Sequence, residues 1–169
     1  MLSIIIVSWN TCDLLRRCLA SIEAGRGELV VEVIVVDNGS HDGTPEMVRA
    51  EFPGVIVVEP GANLGFSAGN NVGLARASGK WLMLLNPDTE VMGEALPVLV
   101  RFLEAHPSVG VVGPDLFYAD GSRQATRHRF PSPFTLFVAS TPLAPFFSPI
   151  LRRYYMADKP VGSPPAPTP

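Results

Sequence analysis

Residues 30–44 read Val-Val-Glu-Val-Ile-Val-Val-Asp-Asn-Gly-Ser-His-Asp-Gly-Thr. From Val33 to Val36 every residue is β-branched and apolar, whichever way its side chain points. A strand wet on one face alternates; this run suits a strand covered on both faces, as in a parallel sheet. It stops at Asp37-Asn38-Gly39-Ser40, residue types that turn the chain. Thr44 then stands where a helix cap belongs, with Pro45 and Glu46 in the first turn. A buried strand, a tight turn and a helix make half of a β-α-β unit.

The same alternation extends on both sides. Apolar runs at residues 2–8, 55–59 and 81–85 predict further strands. Residues 12–23, 45–52, 67–77 and 94–105 carry helical periodicity, and 109–113 is a further strand candidate. Gly79 marks the stop after a helix end at Ser78, and Asp120-Gly121 predicts a hairpin turn after 116–118. The expected fold is α/β, a Rossmann-like, mostly parallel sheet with helices on both faces. We read residues 1–128 as one body, 129–160 as an apolar segment broken by prolines, and 161–169 as a flexible tail too poor in apolar residues to fold alone.

Composition narrows the function. A net charge of −3 excludes the polyelectrolyte signal of a nucleic-acid binder. The hydrophobic fraction of 47% and mean hydropathy of +0.25 keep a membrane surface in view. Cys12 and Cys18 fit neither a redox pair nor a zinc knuckle and read as reduced thiols. His41, His106 and His128 lack ligand spacing. The apolar run from Leu2 has no basic lead-in and ends at Asn10, so no secretory leader is expected, and a cytoplasmic location fits. Neither a nucleophile elbow nor a Walker loop is present.

Open parallel sheets bind ligands at the carboxyl ends of their strands. Ser8-Trp9-Asn10 follows the first run, Asp37-Asn38-Gly39-Ser40 the second, Asn63-Leu64-Gly65-Phe66 the third and Asn86-Pro87-Asp88-Thr89-Glu90 the fourth. Asp37 suits hydrogen bonds from a ribose or a pyrimidine N–H edge; it equally suits a structural turn. Asp88 would repel a diphosphate unless a hard cation lay between them, so it reads as a metal anchor or as a helix cap. Gly65, Gly69 and Gly73 flank Asn70 and Asn71 at an expected helix start, which serves either phosphate binding or close helix-to-sheet packing.

Taken in order and spacing, four segments resemble glycosyltransferase family 2, whose fold is called GT-A. They are residues 4–10 (Ile-Ile-Ile-Val-Ser-Trp-Asn), 35–44 (Val-Val-Asp-Asn-Gly-Ser-His-Asp-Gly-Thr), 63–73 (Asn-Leu-Gly-Phe-Ser-Ala-Gly-Asn-Asn-Val-Gly) and 84–90 (Leu-Leu-Asn-Pro-Asp-Thr-Glu). The resemblance covers about residues 2–125 and is greatest to the rhamnosyltransferase-like branch. It implies a GT-A sheet incomplete at the C-terminus. It implies a nucleotide-diphosphate sugar donor, linked to UDP, dTDP or GDP, held by Ser8, Trp9, Asn10, Asp37, Asn38, Asn63, Gly65, Asn70, Asn86 and Pro87. It implies Mn2+ or Mg2+ on Asp88, the last aspartate of an Asp-x-Asp motif whose first position is here Asn86. Asn70 stands where some branches carry arginine. The reaction implied is inverting transfer to a saccharide or lipid-linked acceptor hydroxyl, in cell-surface polysaccharide or glycolipid synthesis.

The family's catalytic base, an acid in the acceptor half, has no match; Asp115, Asp120 and Asp158 stand outside that context. A weak or inactive transferase is therefore expected of these 169 residues. Two other readings compete. One is a non-catalytic sugar-nucleotide-binding module. The other, a nicotinamide-type Rossmann protein, needs glycines after the first strand, and Ser8-Trp9-Asn10-Thr11 has none. Residues 134–151 carry no charge, with Arg127 and Arg129 before and Arg152 and Arg153 after. Their prolines argue against a spanning helix and leave peripheral membrane contact or packing on another domain.

Overall fold

The computed structural model describes residues 1–124, 126, 130–142 and 144–155. Strand β1 (Leu2–Ser8) lies at the centre of a four-stranded sheet, with β2 (Val31–Asp37), β3 (Ile56–Val58) and β4 (Trp81–Leu85) in the order β3-β2-β1-β4. All pairings are parallel; Ser8 sits opposite Asp37, and Ile6 opposite Leu85. The chain steps outward from β1 to β3, then returns to the other side of β1 as β4. Strand order reverses there, and the crevice at that reversal is where such sheets hold ligands.

Helices α1 (Cys12–Gly25), α2 (Thr44–Glu51), α3 (Gly65–Leu74) and α4 (Ala95–Ala105) alternate with the strands. Period-two alternation divides the strand side chains into two cores. Leu2, Ile4, Ile6, Val33 and Val35 pack with Leu15, Leu19 and Ile22 of α1, Met47 and Val48 of α2, and Leu96 and Val100 of α4. On the other face, Val7, Ile34, Val36 and Val58 pack with Val72 of α3. Each such side chain, fully buried, contributes about 1.5–3 kcal/mol, so β1 and β2 are the best-anchored parts of the sheet. Coverage stops at β4, whose Leu82 and Leu84 face the α3 side and stay 55% and 51% exposed.

Gly73 explains how α3 comes so near the sheet: a Cβ there would stand 2.4 Å from Cγ2 of Ile5. Between packing and phosphate binding, Gly69 and Gly73 therefore serve packing. Gly65 differs; its φ of +76° opens the helix after β3.

Four expectations need correction. Residues 109–113 form no strand; Val111 is 89% exposed, and no described strand offers them a ladder. Helix α3 runs Gly65–Leu74, not 67–77, and chain turns at Ala75–Ala77 separate its end from Gly79. Asn70 is thus mid-helix, not at a helix start. Thr44 is the first residue of α2 and not its cap; its N–H and hydroxyl both donate to Asp42 Oδ1, and Gly43 supplies the turn.

The chain forms two compact units, Met1–Gly113 and Pro114–Pro169. In the second, Phe117 and Arg123 pair in antiparallel fashion around the expected Asp120-Gly121 turn. Helix α5 (Pro133–Ala139), a 3-10 turn (Ala144–Phe147) and α6 (Ser148–Tyr154) follow. No helix among the described residues is long and apolar enough to cross a membrane. The expected tail at 161–169 lies outside the described residues, as do Arg127, His128 and Arg129.

Candidate functional site at the carboxyl edge of the sheet

Asp37 ends β2 and is 2% exposed. Its Oδ2 accepts the N–H groups of Gly39 at 3.1 Å and Ser40 at 2.9 Å. Its Oδ1 is buried and has no partner. Asn38 repeats the pattern: its Nδ2 donates to the Gly65 carbonyl at 3.2 Å, while its buried Oδ1 has none. A buried acceptor without a donor costs about 1–3 kcal/mol, so these two adjacent oxygens are places for a water or a ligand donor. The structural reading of Asp37 accounts for one oxygen, which makes the turn, and leaves the other without a protein partner.

The loops after β1 and β2 are tied together. Asn10, in the left-handed region at φ 53°, donates its N–H to Ser40 Oγ at 2.9 Å and accepts the His41 N–H on Oδ1 at 2.8 Å. Cys12 N–H donates to Asp42 Oδ2 at 2.9 Å, and Asn38 N–H to the Ser8 carbonyl at 2.8 Å. Burial pushes the Asp42 carboxyl up, but hydrogen bonds from Thr44 and Cys12 outweigh it and hold it below its ordinary value. Ser8 is buried, with Oγ sharing a hydrogen with Thr11 Oγ1 at 2.8 Å. The side chains of Ser8 and Asn10 are thus taken up in holding these loops in place. Trp9 remains exposed.

At the start of α3, Asn63 Oδ1 accepts the Gly65 N–H at 2.9 Å. Asn70 is buried and donates to the Phe66 carbonyl at 2.9 Å within its own helix.

On the far side of β1, Asn86-Pro87-Asp88-Thr89 forms a turn closed by Thr89 N–H on the Asn86 carbonyl at 3.2 Å, with Pro87 leading it. Asp88 is exposed at its tip. Two strand spacings, about 10 Å, separate the ends of β2 and β4. Among the described residues no three His, Cys, Asp or Glu side chains gather as a metal cage. A lone exposed carboxylate beside an anionic ligand still fits a hard cation, which is commonly held by one or two carboxylates plus phosphate oxygens. Glu90 is paired with Arg17 at 3.2 Å and lies outside that set. Beneath the turn, burial, then the charges of Asp88 and Glu90, push the Cys18 thiol up to about 12, so it is an inert thiol.

Sequence reasoning passed over Ser40 and Asp42, which fasten the two loops, and Arg17, Ser21 and Gly25 of α1, which touch the Asp88 loop. Asp42 had a local signal, an Asx residue two before Thr44. The α1 contacts are tertiary and leave no local trace.

With this geometry in place, comparison with known proteins is specific. The model of the family described as Glycosyl transferase family 2 matches residues 3–162. An N-acetylglucosaminyl-diphospho-decaprenol L-rhamnosyltransferase of Mycobacterium tuberculosis is 29% identical over 143 residues, covering 78% of this chain and 46% of that protein. The succinoglycan biosynthesis protein ExoO of Rhizobium meliloti is 31% identical over 102 residues, 60% of this chain and 29% of its own length. Among solved structures, the mannosyltransferase PcManGT of Pyrobaculum calidifontis, in complex with GDP-Man and Mn2+, superposes with a TM-score of 0.58 at 28% identity, covering 64% of this chain and 33% of that one. S. aureus TarS 1-349 in complex with UDP gives 0.57 at 24% identity, covering 63% of this chain and 32% of that one, a likeness of fold. The chain thus spans less than half the length of these relatives, and its sheet is of the GT-A type.

Proposed function

We propose, on the premise that this chain belongs to glycosyltransferase family 2, that its sheet edge binds a nucleoside-diphosphate sugar for inverting transfer to an acceptor hydroxyl. One observation carries the reading: the buried Asp37 Oδ1 and Asn38 Oδ1, unpartnered at the carboxyl edge. Such acceptors suit the N–H edge of a base or the hydroxyls of a ribose. The diphosphate would then run past the end of β1 toward β4, where Asp88 would hold Mn2+ or Mg2+. The ion's contribution is to neutralise charge on the leaving diphosphate.

In the reaction, the acceptor oxygen bonds to the anomeric carbon from the face opposite the diphosphate. The carbon–oxygen bond to phosphate breaks, its electron pair leaves with the nucleoside diphosphate, and the acceptor proton passes to a base. Residues 1–169 supply donor binding; no acid among them stands in the family's base context, so we expect binding to exceed turnover. Calorimetry with UDP, dTDP and GDP, with and without Mn2+, tests the donor site. Absence of binding by all three sinks the reading. Robust sugar transfer by this chain would instead overturn the view that its base is missing.

For the acceptor we propose a saccharide or a polyprenyl-linked sugar, approached at the cytoplasmic face of a membrane. Two features support this: the decaprenol-linked substrate named for the M. tuberculosis relative, and the composition of the second unit. From residue 121 to 157 there is no Asp or Glu, but five arginines. Phe130, Phe134, Phe137 and Phe146 in that stretch are exposed. Exposed aromatics with basic neighbours favour an anionic bilayer surface. Co-sedimentation with vesicles containing anionic lipid, lost at high salt, is expected; equal recovery without vesicles removes the idea.

A further inference from the structure

Four residues of α1 touch the loop that carries Asp88. Arg17 Nε pairs with Glu90 at 3.2 Å. The Cys18 thiol points to the Asn86 carbonyl at 3.8 Å. Ser21 Oγ accepts the Val91 N–H at 2.8 Å while donating to the Cys18 carbonyl at 2.7 Å. Gly25 lies under the loop, where a Cβ would come within 2.9 Å of both the Gly93 carbonyl oxygen and Val91 Cγ1. At about 100° per residue, positions 17, 18, 21 and 25 fall within a stripe about 100° wide along some 12 Å of helix. The loop descends this stripe in step, from Glu90 on Arg17 to Val91 on Ser21 and Gly93 against Gly25.

Asp88 stands midway between two of these anchor points, Asn86 and Glu90, and itself accepts no hydrogen bond among the described residues. Its position is therefore set from outside. Of the four contacts, the Ser21 bridge is the most directional. Its hydroxyl hydrogen is committed to the Cys18 carbonyl, which turns a lone pair toward Val91. The Arg17 pair is solvent-exposed and weak, and the thiol is a poor donor.

We propose that α1 is the element that positions Asp88 for its cation, and that Ser21 is the positioning residue through which it acts. The inference rests on the metal reading of Asp88 given above. It assigns Ser21 no contact with donor, metal or acceptor.

Three variants of the whole chain test it. Ser21→Ala removes the bridge, and Ser21→Thr keeps a hydroxyl. Gly25→Ala pushes the loop while favouring the helix, since alanine is the better helix former. Amide exchange is measured for residues 86–93, together with calorimetry of UDP, dTDP and GDP with and without Mn2+. In Ser21→Ala the Val91 amide should exchange at least about 10-fold faster. The gain in affinity given by Mn2+ should fall about 5-fold or more, with metal-free affinity held within about twofold. Ser21→Thr should restore both, and Gly25→Ala should reduce the Mn2+ gain without lowering helix stability. Unchanged exchange at Val91, or faster exchange with an unaltered Mn2+ gain, overturns the proposal. Absence of any Mn2+ gain in the unaltered chain refutes the metal reading of Asp88 and the clamp's purpose with it; the exchange data then still decide whether α1 holds the loop.

Discussion

Asp37 and Asp88 are the same residue at the ends of two strands of one sheet, and the protein treats them oppositely. Asp37 is buried, fixed by two backbone N–H groups, and left with one unpartnered oxygen. Asp88 is exposed, accepts nothing among the described residues, and is held only through its neighbours. The difference follows from the strands. β2 is covered on both faces near its end, whereas β4 is bare on one. A buried, preset acceptor selects neutral donors whose geometry matches it. An exposed carboxylate keeps its hydration until a cation and its phosphates replace the water. On the function proposed above, the sheet would thus place a reading group and a charge-holding group about two strand spacings apart.

Breaking the exposed member should have the larger effect on binding and the smaller one on folding. Asp88→Ala is expected to abolish the Mn2+-dependent part of donor affinity. That is a loss of about 100-fold or more, because even the outer partners of a bound metal are worth roughly 10–100-fold. Its melting temperature should stay within about 2 °C, as for surface substitutions generally. Calorimetry with and without Mn2+, alongside a thermal melt, checks both halves; unchanged affinity with Mn2+ present would end the metal assignment.

The buried member should reverse that balance. Asp37→Ala strands the N–H groups of Gly39 and Ser40, a cost of about 1–3 kcal/mol, or roughly 5–15 °C in melting temperature for a body of this size. Affinity for nucleotide should fall about 10-fold whether or not Mn2+ is present. Equal loss in both variants, or metal dependence of the Asp37 effect, would erase the distinction between the two carboxylates.

Why one carboxylate was easier to read than the other also lies in the strands. The limits of β1 and β4 were legible to the residue, and β2 to within one, because an apolar run ends sharply where the first polar side chain must leave the core. Residues 109–113 have the same β-branched content and no partner, and a strand without a partner is only extended chain. For Asp37, the adjoining Asn38-Gly39-Ser40 gave the turn, and burial of β2 gave the rest. For Asp88, the residue was legible but its support was not. Ser21 reads as an ordinary mid-helix serine three residues after Cys18; its partner Val91 is 70 residues away. The place of Asn70 at a helix start was misjudged for a related reason, since α3 opens at Gly65 with its φ of +76° and not at the Asn pair.

The smallest effect probes what fastens the Asp37 side. Asp42 joins the β1 and β2 loops through Cys12 N–H and holds Thr44 at the head of α2. Its carboxyl lies below its ordinary value in the folded chain. A depressed acid contributes stability in full above its unfolded value and loses it as pH falls through the folded one. The increment is thus present at pH 7, begins to fall below about pH 4, and is gone only once the pH has passed below the folded value. Being exposed and screened, it should not exceed about 1 kcal/mol. Asp42→Asn should therefore melt slightly below the unaltered chain at pH 7, and the gap should narrow as the pH is taken below about 4. Glu32, held down by Ser3 and then Ser78, loses its own contribution in the same acid range. Both chains share that loss, so the informative quantity is the difference between them. A gap as wide below about pH 4 as at pH 7, with no narrowing as the pH falls, would mean that Asp42 acts through its shape and not its charge, and the tie between the two loops would then owe nothing to ionisation.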